Sequence, residues 1–390
     1  MLAQSCTVLA IGWQVYDVSR LSMGIRAASF RLGMIGLVQF APLLACTLVS
    51  GWLADRTDRR RLAFGAVALH LACAIALSFL AAGGSRRLVP YFLLAAGLGV
   101  VRAFYMPAMN AIAPNTVPRS VLPRAVAANA MAGRGGAIIG PIAGGVCYGF
   151  APWCAFALSS TLLTVSLSML CLMRPVTDHV GGERRRPVAE IAEGFRYLRS
   201  NRMLFGVITL DLVACLLGGV TALLPAFARD VLMIGPQGLG LLRAAPSVGA
   251  LSSAIVLSFR PLRRRVGAVM LGAILVYGVA TIGFGLSRSL PLSLAFLVVL
   301  GMADMCSVNV RQSLIQLTTP DAMRGRVGAI GTLSVSASNE LGETESGVLA
   351  SLLGPVGAVV AGGIGAILAV IAWGRWYPEI RTRRHFEVEA

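Results

Sequence analysis

Apolar runs of about twenty residues alternate with short polar connections along most of the chain. A helix rises about 1.5 Å per residue, so such a run spans the roughly 30 Å hydrocarbon core of a bilayer. The pattern predicts twelve spans, at 1–17, 33–53, 62–82, 88–110, 124–148, 152–173, 204–227, 236–258, 266–286, 291–313, 327–350 and 353–376. The first is short, beginning at Met1 without flanking basic residues and meeting Asp17 and Arg20. Neither the basic start nor the small-residue cleavage site of a signal peptide is visible. The chain is therefore expected to start partway into its first helix.

The longest connection, 174–203, begins polar, with Glu183 and Arg184 to Arg186. It then places Val188, Ile191, Phe195 and Leu198 at helical spacing, with Glu190, Glu193, Arg196 and Arg199 between them. A short helix lying at the cytoplasmic surface fits this pattern and would strap two bundles together. The expected organisation is an all-α membrane protein with an N-terminal six-helix bundle at 1–173, a linker with a surface helix at 174–203, and a C-terminal six-helix bundle with a short tail at 204–390.

Composition agrees with this pattern. Of 390 residues, 56% are hydrophobic and 13% charged, and the mean hydropathy is +0.77; in soluble domains charged residues make up about a quarter. The net charge of +17 does not point to nucleic acid, because no basic stripe is interleaved with aromatics and the arginines recur in short loops. In or beside the loops that follow even-numbered spans, together with the tail, lie 23 of the 34 arginines, against 7 in the loops after odd-numbered spans. Positive charge marks the cytoplasmic side, so those loops and the C-terminus are expected to be cytoplasmic, in a multi-pass protein of the bacterial inner membrane. Lysine is absent, which excludes a phosphate-binding loop that needs one. Energy must then come from a gradient or from a partner.

The eight cysteines lie singly in apolar runs and read as small fillers. His70, His179 and His385 are scattered, so no metal site and no cofactor are expected. No nucleophile and base pair suggests an enzyme.

The chain also resembles itself. At an offset of 202, Pro118, Arg124, Gly140 and Gly145 match Pro320, Arg326, Gly342 and Gly347; at 204, Arg56, Arg59, Arg60 and Arg61 match Arg260, Arg263, Arg264 and Arg265. Two parallel six-helix repeats are a transporter architecture.

Charges inside spans each cost a few kcal/mol unless they face water or a partner. Arg102, Arg134 and Asp304 fall near the midplane and Asp211 in the cytoplasmic half, while Arg311 is near enough to an end to act as an interface anchor. Arg102 and Asp304 are related by the 202 offset, which suggests groups facing each other across a cavity, with Asp304 alternating between a proton and an ion pair. Span eleven carries Glu340, Glu343 and Glu345, at least two of which are expected to face the bundle interior. Asp211, Asp304, Arg102, Arg134, Glu340 and Glu343 are thus the candidate substrate or proton-coupling residues. Gly136, Gly140, Pro141, Gly144 and Gly145 place small residues four apart beside a proline that bends the helix.

Gly51, Asp55, Arg56, Arg59 and Arg60 resemble the signature gating loop of the major facilitator superfamily, with Asp58 where a second glycine is usual. The glycines and proline from 136 to 145 resemble its helix-five exporter motif. More narrowly, Ser338 to Gly347, Thr319 to Val327, Gly238 to Pro246 and Glu193 to Arg199 are similar to the branch that includes bacterial enterobactin exporters. The resemblance implies twelve helices in two pseudo-symmetric bundles and a secondary transporter working by alternating access. A proton-coupled exporter of a small amphipathic compound, a siderophore or a drug, acting as a monomer, is the expectation; the alternatives are an importer or symporter of a small metabolite and a non-transporting sensor or scaffold.

Overall fold

Among the described residues every regular element is helical, and a helix satisfies its own backbone donors and acceptors, as hydrocarbon surroundings require. The computed structural model describes residues 1–54, 58–116, 120–172, 187–262 and 265–382. Nine stretches among them are long and apolar enough to cross a membrane. Large apolar side chains on the outer surface, such as Phe79, Phe150, Leu172 and Phe259, are between 74% and 83% exposed. A soluble monomer does not carry so much exposed apolar surface, and a lipid environment accounts for it.

The chain divides into two units. The first takes the described parts of Met1–Gly24, Leu37–Pro187 and Ile234–Ala244. It contains α1 (Leu2–Arg20), most of α2 (Ile25–Ala54), α3 (Arg59–Ala82), α4 (Leu88–Thr116), α5 (Leu122–Phe150) and α6 (Pro152–Leu172). α3 packs on α4 and α6 around Ala63, Val67, Ala74, Ala108 and Leu163, and α1 lies against α5 and α6. Asp58 caps α3 by accepting the Arg60 N–H at 2.9 Å. The Arg60 guanidinium in turn donates to the Leu170 and Cys171 carbonyls at 2.8 and 2.6 Å, satisfying the carbonyl end of α6, where a cation also suits the helix dipole. α1 and α5 are full-length helices but are not among the nine apolar stretches. Gln4, Gln14 and Asp17 dilute the first, and Arg124 and Arg134 the second.

The second unit takes Ile25–Gly36, Val188–Met233 and the described parts of Ala245–Ala390. It holds the strap helix α7 (Pro187–Ser200), α8 (Arg202–Leu217), α9 (Val220–Ala226) continuing into a π-helical turn at Phe227–Val231, and most of α10 (Gly235–Phe259). α11 (Val266–Leu286), α12 (Leu290–Thr318), α13 (Asp321–Trp376) and α14 (Pro378–Thr382) complete it. Leu210, Met270, Ile274, Val310 and Leu314 are at its centre. The expected eleventh and twelfth spans are two helices, together labelled α13, that meet at a kink at Gly354, where φ is 78° and only glycine fits without strain. α7 docks through Leu198, which packs with Leu204, Val327 and Ile330. The Glu193 carboxylate, 2.8 Å from Arg326 on α13, holds the same face.

Candidate substrate and coupling sites

In the second unit, Asn201 begins α8 by accepting the Leu204 N–H at 3.1 Å. From that start Leu204, Val207, Ile208 and Asp211 follow at spacings of three and four, and all are buried on one face. Asp211 is therefore carried into the interior by its apolar neighbours. On α12 the same spacing lines up Asp304, Ser307 and Arg311. The two stripes meet, and Arg311 Nη1 lies 3.0 Å from Asp211 Oδ2, each side chain only 5% exposed. This corrects the expectation that Arg311 extends to an interface: a turn of α12 points it at the carboxylate of α8 instead.

Beside the pair is a void of about 10 Å³ lined by Asp211, Cys215, Tyr277, Asp304 and Ser307, room for about one water molecule. Tyr277 closes one side by donating to the Gly218 carbonyl at 2.8 Å. Ser307 Oγ and Arg311 Nε are buried and make no hydrogen bond. Groups this deep are normally satisfied, so the cluster has spare polar capacity around two carboxylates. The sequence singled out Asp211 and Asp304. Ser307, Cys215 and Tyr277 were missed, although the 304, 307, 311 spacing was available to find the first.

Arg102, which the repeat relates to Asp304, lies in the first unit. It lines a cavity of about 200 Å³ formed by residues of α1, α2, α3, α4 and α6. Leu98, Val101, Leu162 and Leu163 form apolar walls; Gln4, Gln39, His70, Tyr105 and Ser166 add polar groups. His70 is 7% exposed and its Nε2 is buried without a hydrogen bond. A lone histidine in an apolar run has no spacing partner, so nothing in the sequence marked it.

Arg134 lies exposed on α5. On α13, Glu340 is 3% exposed, while Glu343 and Glu345 are half-buried. Gly36 of α2 sits so close that a Cβ there would be 2.7 Å from the Glu340 carbonyl oxygen. Of the gating loop, Asp55 and Arg56 lie outside the described residues, Gly51 and Arg59 have only their helical backbone described, and Arg60 holds the end of α6. The glycines around Pro141 fit α1: a Cβ at Gly136 would be 2.9 Å from Leu2 N, at Gly140 2.7 Å from Leu2 O, and at Gly144 2.8 Å from Cys6 Sγ. Gly145 instead faces Pro236 and Gly240 of α10. Among the described residues no group of His, Cys, Asp and Glu is arranged to hold a metal ion.

The profile described as Major Facilitator Superfamily matches residues 1–342. The chain belongs to this superfamily. Enterobactin exporter EntS of Citrobacter koseri is 26% identical over 377 residues, covering 94% of this chain and 88% of its own. The enterobactin exporter of Escherichia coli O6:K15:H31 matches to the same degree. Among solved structures, a bacterial homologue of the human lysosomal transporter Spinster, inward-facing and unoccupied, superimposes with a TM-score of 0.73 at 15% identity, covering 98% of this chain and 97% of that one. A bacterial homologue of the iron transporter ferroportin, inward-facing, gives 0.67 at 18% identity and 98% of both chains. The D-xylose–proton symporter gives 0.69 at 14% identity, again over 98% of both. These likenesses carry the superfamily fold. The chain is a multi-pass membrane transporter for small molecules, of a superfamily whose members are not enzymes.

Proposed function

We propose that this transporter is a proton-coupled exporter of a small amphipathic compound, a siderophore or a drug, working by alternating access in the bacterial inner membrane with its C-terminus in the cytoplasm. The reading takes twelve membrane-crossing helices in two six-helix halves, 1–173 and 204–390, joined by the strap at 174–203, in a chain that acts as a monomer. The observation that carries it is the buried ion pair of Asp211 with Arg311 beside the water-sized void shared with Asp304 and Ser307. A carboxylate that exchanges a guanidinium for a proton changes the charge of a site by one unit, and charge is costly there, so the exchange biases conformation. Asp211 and Asp304 are the coupling carboxylates, Arg102 and Arg134 counter-charges, and Glu340 and Glu343 an accessory polar site. The relatives named as enterobactin exporters support the outward direction.

The test is uptake of labelled enterobactin, with an amphipathic dye in parallel, into inside-out vesicles carrying the full chain. Accumulation should collapse with the proton gradient and be lost in Asp304→Asn. Equal movement in that variant removes Asp304 from the mechanism, and movement indifferent to the gradient makes the protein a facilitator. The D-xylose–proton symporter shares the fold, so proton-driven import is the second reading; uptake of a metabolite into right-side-out vesicles would favour it.

A further inference from the structure

We propose that the cavity of the first unit binds an uncharged apolar compound bearing a hydroxyl, its body against Leu98, Val101, Leu162 and Leu163 and its hydroxyl on Nε2 of His70. The proposal goes beyond the exporter reading, because it assigns a binding site in the first unit, whereas the coupling cluster belongs to the second.

At about 200 Å³ the space is far larger than packing defects between helices. Its walls are mainly apolar with a few polar groups, the composition of a small-molecule site. Burial of an apolar body therefore supplies the affinity, and a polar group fixes the orientation.

The second observation names that polar group's partner. His70 is more than nine-tenths buried, it lines the cavity, and among the described residues its Nε2 has no hydrogen-bond partner. A buried polar nitrogen left unsatisfied is costly. Nε2 of a neutral imidazole donates in one tautomer and accepts in the other. A hydroxyl does either, so it satisfies the nitrogen whichever tautomer His70 adopts, whereas a carbonyl or an ether serves only one of the two. A hydroxyl is also far less costly than an ionised head to bring from water against apolar walls. Arg102 and the Met1 ammonium line the same cavity, and an uncharged ligand meets His70 whatever those two groups pair with. The Thr7 hydroxyl, another lining group, already donates to the Ala3 carbonyl at 2.9 Å.

The test uses the full chain in lipid nanodiscs and two uncharged probes of nearly equal size, 2-naphthylmethanol and 2-ethylnaphthalene, which carry a hydroxyl and a methyl at the same point. Binding is read by equilibrium dialysis against empty nanodiscs, with affinity referred to free probe in the lipid phase so that the difference in hydrophobicity drops out. Both probes should bind saturably at one site per chain, the alcohol about fivefold more tightly, as one buried hydrogen bond provides. His70→Leu should remove that preference and leave the hydrocarbon within about twofold of wild type, which separates a lost hydrogen bond from a damaged fold. Should His70→Leu not purify as a folded chain, His70→Met, unbranched and adaptable, is held to the same result. Leu163→Trp and Val101→Phe, which fill the space, should each abolish saturable binding of both probes. Equal affinity for the two probes in wild type, a preference that survives the apolar His70 variants, unsaturable partition, or wild-type binding in the filled variants overturns the proposal. No gradient is applied, so a failure of proton coupling leaves this result untouched, and absent binding of the alcohol leaves the coupling reading standing.

Discussion

Replacing Arg311 with methionine is expected to destabilise the protein by about 3–5 kcal/mol, because it leaves the Asp211 carboxylate buried without its partner. At the 3.0 Å separation of the pair, and with an effective dielectric near 20, the Coulomb attraction is about 5 kcal/mol. Desolvation of both groups offsets most of it, and Arg311 Nε gains no hydrogen bond in exchange. The pair is therefore expected to be worth little as a unit and much as a half. In a cycle of Asp211→Leu, Arg311→Met and the double variant, the double should return to within about 1 kcal/mol of wild type while Arg311→Met alone does not. Reversible unfolding in mixed micelles of increasing SDS fraction gives the free energies. A double variant that loses the sum of the single losses, or an Arg311→Met that loses less than about 1 kcal/mol, refutes the reasoning. If the double variant is stable yet accumulates no substrate, the pair is retained for coupling and not for stability.

Gly140→Val puts side-chain atoms where the Leu2 carbonyl already lies; it should lower stability by about 1–3 kcal/mol through overpacking, whereas Gly133→Ala, with nothing within 4 Å, should gain up to about 1 kcal/mol from helix propensity. Thermal denaturation compared between the two checks the contrast. Arg60→Ala removes two hydrogen bonds from the end of α6 and should cost about 1–3 kcal/mol locally, read as faster amide hydrogen exchange over residues 168–172; unchanged exchange there counts against it. At the strap, Glu193 is half exposed, so Glu193→Gln should cost under about 1 kcal/mol. Leu198→Ala, 2% exposed, should cost about 2–5 kcal/mol and make α7 the first site of limited proteolysis.

Much of the architecture follows from local rules. A run of twenty apolar residues leaves the backbone one economical solution, so α3, α6 and α11 lie close to the predicted spans 62–82, 152–173 and 266–286. The spacing of Val188, Ile191, Phe195 and Leu198 likewise anticipates α7. Charge within an apolar run is costly wherever the helix turns it, which is why Asp211 and Asp304 stood out before any partner was visible. Where the run mixes in polar side chains and a charge near its end, as at α1 with Gln4, Gln14 and Asp17, periodicity alone does not decide whether a helix crosses.

What the chain order could not reveal was partnership. Asp211 and Arg311 are a hundred positions apart, and whether Arg311 reaches an interface or a carboxylate depends on which face of α12 meets α8. His70 becomes conspicuous only when α1, α2, α3, α4 and α6 come together around a cavity and leave its Nε2 without a hydrogen bond. By itself the sequence determined a helical membrane chain of the transporter kind, because bilayer thickness and the cost of buried charge act on residues one at a time. Tertiary structure decided which charges are paired and which cavity is left open, because those depend on the rotation of one helix against another, and a helix shows a neighbour only one residue in three or four.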